Sequence, residues 1–487
     1  MATDDLEAPL LSQLPPGESG PSGLSSHDGP APATPCSVAP SDLSALEHLL
    51  AQQGGLDEEH CPSGQCGLGG GVANLVTTAV GAGMLALPCA VSKTGILVGG
   101  LLFCLVAALT FASCSIIVRY AGRAGVNSYG ELVQAHFGRL GSTLLQSAIV
   151  VHVSGVMIGY NVIIADVLVG SAPRYSGVLP TLLGRHDNPW FLSRPAVLAA
   201  LMVGVVLPTL VPRSLNAVAK FSSFSVCMLF VLASAIASLA AVAVARGQVA
   251  PGVHFLPHGE QLGASLLDKL TALLTVISVG ALAFTCQFNL LPIQKSLRDS
   301  SQCGMMRVLV VGLASCTALY ATVAVSGYTL FGSGIDGDVL KDLTARFVAT
   351  LVPRTVAHAI VYGVALSYTL CLLANFVLKV WAVREALIEM TLNVPSQTLG
   401  ALPFYSITAA LVALAYLISV LVPSIYGLLA LVGATATVVF SYVFPSLVVL
   451  TCKPSALQRA GAYGLLFLGA TMSATAIYNH IIGAELE

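Results

Sequence analysis

Apolar runs of helical length dominate the chain from about residue 70 onward, and polar residues gather in the short intervals between them. A helix needs about 20 predominantly apolar residues to cross a bilayer. Eleven runs meet this requirement, at 70–91, 95–118, 143–170, 194–211, 221–245, 268–290, 306–331, 355–380, 403–422, 426–450 and 460–482. Two intervals read instead as helices lying on the membrane surface. SYGELVQAHFG places Tyr129, Leu132, Val133 and Phe137 on one helical face, and GDVLKDLTARFVATLV is similar. The pattern predicts an all-α polytopic membrane protein with about eleven transmembrane helices.

Residues 1–69 differ in kind. They are rich in Pro, Ser and Gly and hold ten Asp/Glu with no Lys or Arg. This composition predicts a disordered acidic tail. The chain then divides into that tail at 1–69, a transmembrane domain at 70–482 and a short C-terminal tail at 483–487. The opening MATDDLEAPLLSQLPPGESG has neither a basic n-region nor a long apolar h-region, so it does not read as a signal peptide. LEAPLL loosely matches an acidic dileucine sorting signal.

Composition agrees with the pattern and narrows the function. Of 487 residues, 56% are hydrophobic and 9% charged, where soluble domains carry about 25% charged residues. The partner is therefore a lipid bilayer. Basic residues stand singly between apolar runs, which disfavours a nucleic-acid partner. Taken by loop, twelve Lys/Arg (Lys379 and Arg384 among them) fall on the side of the N-terminus and nine on the other. By the positive-inside rule this places the N-terminus in the cytoplasm. No N-glycosylation sequon or cysteine falls in the loops assigned outside, which leans towards an endomembrane such as a vacuole or lysosome and leaves the plasma membrane open.

Motifs for enzyme chemistry are missing. There is no HExxH, no Walker loop, no GxSxG and no zinc-spaced Cys/His set, so neither catalysis nor a cofactor is expected. Of the twelve cysteines, Cys89, Cys104, Cys114, Cys227, Cys286, Cys316 and Cys371 lie in apolar spans, where a buried thiol is the ordinary expectation.

Two spans look broken. TTAVGAGMLALP puts Gly81, Ala82 and Gly83 in the middle of the first, followed by Pro88. The sixth, LLTVISVGALAFTCQFNLLPIQKSLRD, carries Gly280, the polar Thr285-Cys286-Gln287, Asn289 and Pro292. Backbone freed in a bilayer must face protein or a water-filled cavity. Breaks at positions one and six are what an inverted five-plus-five repeat produces, with unwound backbone near mid-membrane offered to substrate and ions. The alternative is that the glycines allow close helix packing.

NLVTTAVGAGMLALPCAVSKTG (Asn74–Gly95) resembles the first-helix motif of the amino acid/auxin permease family, which includes sodium-coupled neutral amino acid transporters and plant and fungal vacuolar amino acid transporters. Further matches follow in order: SYGELVQAHFG, GVMIGYNVIIADVL, AFTCQFNLLPIQKSLRD, SGYTLFG, GDVLKDL and LVPSIYGLLALVGATA with FPSL. The resemblance covers residues 70–482 and implies a LeuT-like fold of eleven helices and amino acid transport by alternating access.

By the same resemblance, substrate would meet the unwound backbone at Gly81, Ala82 and Gly83, with Thr78, Phe284, Thr285 and Gln287 near it. Tyr160 and Asn161 would line the pathway, or Tyr160 would pack between helices. A sodium ion would sit at Thr77, Ser367 and Thr369, although lone membrane hydroxyls commonly bond a carbonyl of the preceding turn. Sodium-coupled members often have Asn in place of Thr77, prolines near Cys371 and Phe376, and a His-Pro-Glu-like run in place of Gln287-Phe288-Asn289. These departures open proton coupling, for which His152, Asp166 and His358 are the intramembrane candidates. Asp166, near the end of its span, also fits a solvated vestibule. The expected function is secondary active transport of small neutral amino acids with H⁺ or Na⁺. The alternatives are an amino acid sensor signalling through the tail and, less well matched to paired breaks, a channel.

Overall fold

The computed structural model describes residues 66–486 apart from Ala82 and the segments 171–176, 185–188, 212–214, 258–261, 263–264, 336–338, 393–398 and 423–424. The acidic tail up to residue 65 lies outside the described residues. Within them the fold is helical: α1 (Leu68–Ala79), α2 (Gly83–Thr94), α3 (Ile96–Ala124), α4 (Tyr129–Leu168), α5 (Arg194–Thr209), α6 (Leu215–Ala245) and α7 (Leu266–Ala283). There follow α8 (Leu290–Ser296), α9 (Gln302–Phe331), α10 (Ala345–Leu351), α11 (Arg354–Leu392), α12 (Ala401–Leu421), α13 (425–451) and α14 (Ala456–Leu486). Among the described residues nine helical segments are long and apolar enough to cross a membrane, and α1 with α2 forms a tenth span bent by 66°. The eleventh apolar run is the shorter α5.

Local chemistry sets many of the boundaries. Ser128 caps α4 by accepting from the Glu131 amide at 3.1 Å, while the Glu131 carboxylate accepts from the Asn127 amide at 2.8 Å. At α7, Ser265 and Asp268 make a reciprocal capping box with both bonds at 3.0 Å. The surface helix expected at SYGELVQAHFG and the span after it run together as α4, separated by Gly138 at φ 67°. Only glycine adopts that conformation without strain. The second surface segment divides into a short turn at Val339–Asp342 and α10, which Thr344 caps. α14 continues to Leu486, so the expected C-terminal tail belongs almost wholly to a helix.

Large apolar side chains crowd the outer surface. Leu97, Leu101 and Leu105 on α3, and Leu457 and Phe467 on α14, are exposed, as suits helices bathed in acyl chains. Cys104 and Cys227 also lie on exposed faces, contrary to the buried setting expected of span cysteines. The helices sort into two groups. α1, α2, α3, α7 and α9 pack on one another, and so do α4, α5, α11 and α12. In span order these are one, two, six and seven against three, four, eight and nine, an arrangement that follows from two five-helix repeats. The two groups face each other at the breaks.

Candidate functional site

The first break begins where α1 ends. Val80 is extended (φ −79°, ψ 120°), and the chain re-enters helix at Gly83. Freed carbonyls therefore gather at the C-terminal end of α1, which carries the negative end of the helix dipole. Three side chains reach them or their neighbours. Tyr368 Oη donates to the Gly81 carbonyl at 3.4 Å, and Lys379 Nζ donates to the Thr78 carbonyl at 3.4 Å. Asn289 Nδ2 donates to Thr78 Oγ1 at 2.9 Å, and that hydroxyl in turn donates to Asn74 O at 2.7 Å.

The second break spans Phe284–Asn289. The Ala283 carbonyl, released at the end of α7, accepts from Tyr320 Oη of α9 at 2.6 Å. Phe284 stacks edge-on against the Tyr320 ring at 4.8 Å. Thr285 Oγ1 returns to Ala281 O at 2.8 Å, and Gln287 Oε1 accepts from the Cys286 amide at 3.0 Å. The two breaks touch: a Cβ on Gly83 would stand 3.1 Å from both Cα and Cβ of Ala283. Close packing is thus part of why Gly83 is glycine. The reading in which Gly83 merely offers backbone to substrate leaves out this contact.

The structure brings together Thr78, Gly81, Gly83, Phe284, Thr285, Gln287 and Tyr160 around the paired breaks. Ala82 lies outside the described residues. His152 joins them from α4: its ring is buried, Nδ1 lies 2.8 Å from Thr437 Oγ1, and it packs edge-on to Phe440 and beside Phe288 of the second break. The Thr437 hydroxyl itself donates to Val432 O at 3.1 Å, so the hydrogen-bond network assigns the proton of this contact to His152 Nδ1. Asn161, beside Tyr160, is fully buried, and neither atom of its amide has a hydrogen-bond partner among the described residues.

Other expected residues sit differently. Thr77, Ser367 and Thr369 each donate to a carbonyl of their own helix, at 2.8, 2.9 and 2.8 Å. On α11 it is Tyr368, between the two hydroxyls, that faces the first break. Asp166 is not solvated. Its side chain is 3% exposed and ion-paired to Arg194 Nη2 at 2.6 Å and Lys341 Nζ at 3.2 Å. It clamps α5 and the Val339–Asp342 turn to the end of α4, because burial of a carboxylate requires such partners. His358 is exposed on α11 and stacks beside Tyr362, apart from the breaks.

Lys379 is the residue that loop counting misplaced. It and Arg384 lie buried inside α11, not in a loop, which reduces the loop-charge bias to ten against nine. Tyr368, Leu372, Asn375 and Lys379 recur at the four-three-four spacing of one helical face. That spacing was the available signal. A cavity of about 350 Å³ elsewhere, lined by Gly122, Asn127, Gln294 and Lys295 among others, does not include the break residues.

The family profile described as "Transmembrane amino acid transporter protein" matches residues 65–482. Among curated relatives, the amino acid transporter AVT6A of Arabidopsis thaliana is 30% identical, over 92% of this chain and 95% of its own. AVT6E of the same plant is 29% identical over 86% and 84%. Among solved structures, the Eremococcus coleocola manganese transporter superposes with a TM-score of 0.54 at 13% identity, covering 84% of this chain and 85% of that one. Mhp1, a nucleobase-cation-symport-1 family transporter solved in a closed conformation with bromovinylhydantoin, gives 0.53 at 12%, over 87% and 93%. At such identities the structural likeness speaks for the fold, which is that of the LeuT-like transporters.

Proposed function

The chain belongs to the transmembrane amino acid transporter (amino acid/auxin permease) family, and from that premise we propose that it is a secondary active transporter of small neutral amino acids, coupled to H⁺ or Na⁺ and working by alternating access. The paired breaks, joined at Gly83 and Ala283 within one helix group and met at Gly81 by Tyr160 and Tyr368 of the other, carry this reading. Rocking one group against the other would expose the breaks to either side in turn. Half-helix termini and unwound backbone suit the charged α-amino and carboxylate groups that every amino acid shares. The break segments 78–83 and 284–289 contain hydroxyl, amide and aromatic side chains and no carboxylate to recognise a cationic side chain, which favours neutral substrates. We place the N-terminus in the cytoplasm and the protein in an endomembrane or the plasma membrane.

The test is uptake of a radiolabelled amino acid mixture into proteoliposomes under an imposed proton gradient, with and without sodium. Accumulation driven by either ion supports the reading. Verified reconstitution with no accumulation under either gradient overturns it.

A further inference from the structure

We infer that Lys379 is the coupling group: its ammonium, tethered to α11 and seated on the Thr78 carbonyl at the end of α1, does the work of a free coupling cation, and its proton is the transported ion. This rests on the transport reading above.

Lys379 is 8% exposed. Its Nζ lies 3.4 Å from the Thr78 carbonyl and 5.3 Å from the centroid of Phe288 in the second break. Asp166, the buried carboxylate of α4, spends its two ion pairs on Arg194 and Lys341 and not on Lys379. An ammonium held by one carbonyl and a ring face is poorly compensated for leaving water. A charge kept inside a membrane domain at that cost marks a functional position.

The location says which function. Carbonyls freed at the C-terminal end of a half-helix, at the negative end of its dipole, are where LeuT-like folds coordinate a cation. Here Lys379 reaches that position from the opposite helix group, α11 facing α1. The contact therefore crosses the boundary that alternating access must open and close. In the ammonium form Nζ donates to Thr78 O and ties the groups. Release of one H⁺ to water leaves a neutral amine with no charge for the α1 terminus to hold, and uptake of one H⁺ from the other side restores it. No other bond changes. Thr77, Ser367 and Thr369, meanwhile, spend their hydroxyl protons on their own helix.

The groups facing Lys379 are few. From α4, His152 is near enough for its charge to act on that of Lys379. From α1 and the second break it meets Thr78 and Phe288, neither of which titrates in water. The span Phe224–Ala245 of α6 and the whole of α12 carry no charged residue. Arg194 of α5 is committed to Asp166, and Arg346 of α10 lies near the opposite end of α11, next to its start at Arg354. On α11 itself the next charges are Glu385 and Arg384, whose guanidinium turns to Thr408 and the Phe404 ring of α12.

The experiment compares the full chain with Lys379→Met and Lys379→Arg in proteoliposomes prepared without sodium and, in parallel, with it, reading accumulation under a proton gradient, substrate exchange without one, and the pH profile of both. Both variants should lose accumulation at least tenfold more than they lose exchange. Arginine keeps the charge but does not give up its proton, methionine keeps the length of the stem without the charge, and retained exchange excludes a folding defect in either. Their accumulation should also lose the pH dependence of the wild type. Undiminished proton-driven accumulation by either variant, or a strict sodium requirement in the wild type, would overturn the role of Lys379. A wild type inactive in both modes, with sodium and without it, would overturn the transport reading, and this inference with it.

Discussion

The phenolic oxygen of Tyr160 occupies the space a side chain at position 81 would need. A Cβ on Gly81 would stand 2.4 Å from it, with Tyr160 Cζ and Cε1 next at 3.3 and 3.4 Å. The ring is 1% exposed, so it has little room to retreat. Glycine in the first break thus lets α4 press against the backbone, while Tyr368 holds the Gly81 carbonyl from α11. Both partners come from the helix group opposite that of α1, across the boundary at which the proposed alternating access would act.

Gly81→Ala should therefore overpack the break, at about 1–3 kcal/mol for an extra methyl in a filled site. Uptake should fall roughly tenfold, the change that corresponds to about 1.4 kcal/mol. Because the clash is chiefly with one oxygen, adding Tyr160→Phe should recover most of the loss, a coupling that a double-mutant cycle measures directly. A double variant as poor as Gly81→Ala alone would show that glycine is needed for what its backbone does with substrate, not for room.

Asn161 leads to a prediction of opposite sign in two measurements. Both its amide atoms are buried and unpartnered among the described residues, a state that costs about 1–3 kcal/mol per group. Asn161→Leu removes that cost with the same number and branching of side-chain heavy atoms, so the thermal midpoint in detergent should hold or rise. If the amide serves substrate, KM should increase about tenfold or more, equivalent to losing roughly 1.4 kcal/mol of binding. An unchanged KM would remove Asn161 from the site.

The spans and both breaks were legible in the sequence because each is a local property. Apolar length is counted within one run, and Gly81 and Gly83 in the first span and the polar Thr285-Cys286-Gln287 in the sixth interrupt their runs wherever the helices end up. Contacts between distant positions were not legible. Gly83 meets Ala283, and only the fold shows that its missing side chain makes room for α7. Lys379 was lost for a related reason. Whether a helix continues past NFVLKVWAVREAL depends on partners that bury the charges, here Thr78 of α1 for Lys379 and Thr408 of α12 for Arg384. Asp166 was visible as an intramembrane acid, but Arg194 and Lys341, which claim it, are remote in sequence.

That pairing separates two roles for Asp166. A proton carrier must release its partners during the cycle, whereas a clamp holds them. Breaking a buried ion pair on one side costs about 3–5 kcal/mol. Arg194 and Lys341 are 31% and 29% exposed, so solvent screening should reduce the loss to roughly 1–3 kcal/mol. As a clamp, Asp166→Asn should lower the thermal midpoint and reduce proton-driven uptake and exchange in parallel. Arg194→Gln in the same background should add less than its separate effect, since the arginine has by then lost its partner. Loss of proton-driven accumulation with exchange and midpoint both preserved would instead make Asp166 a carrier of the proton, in competition with Lys379.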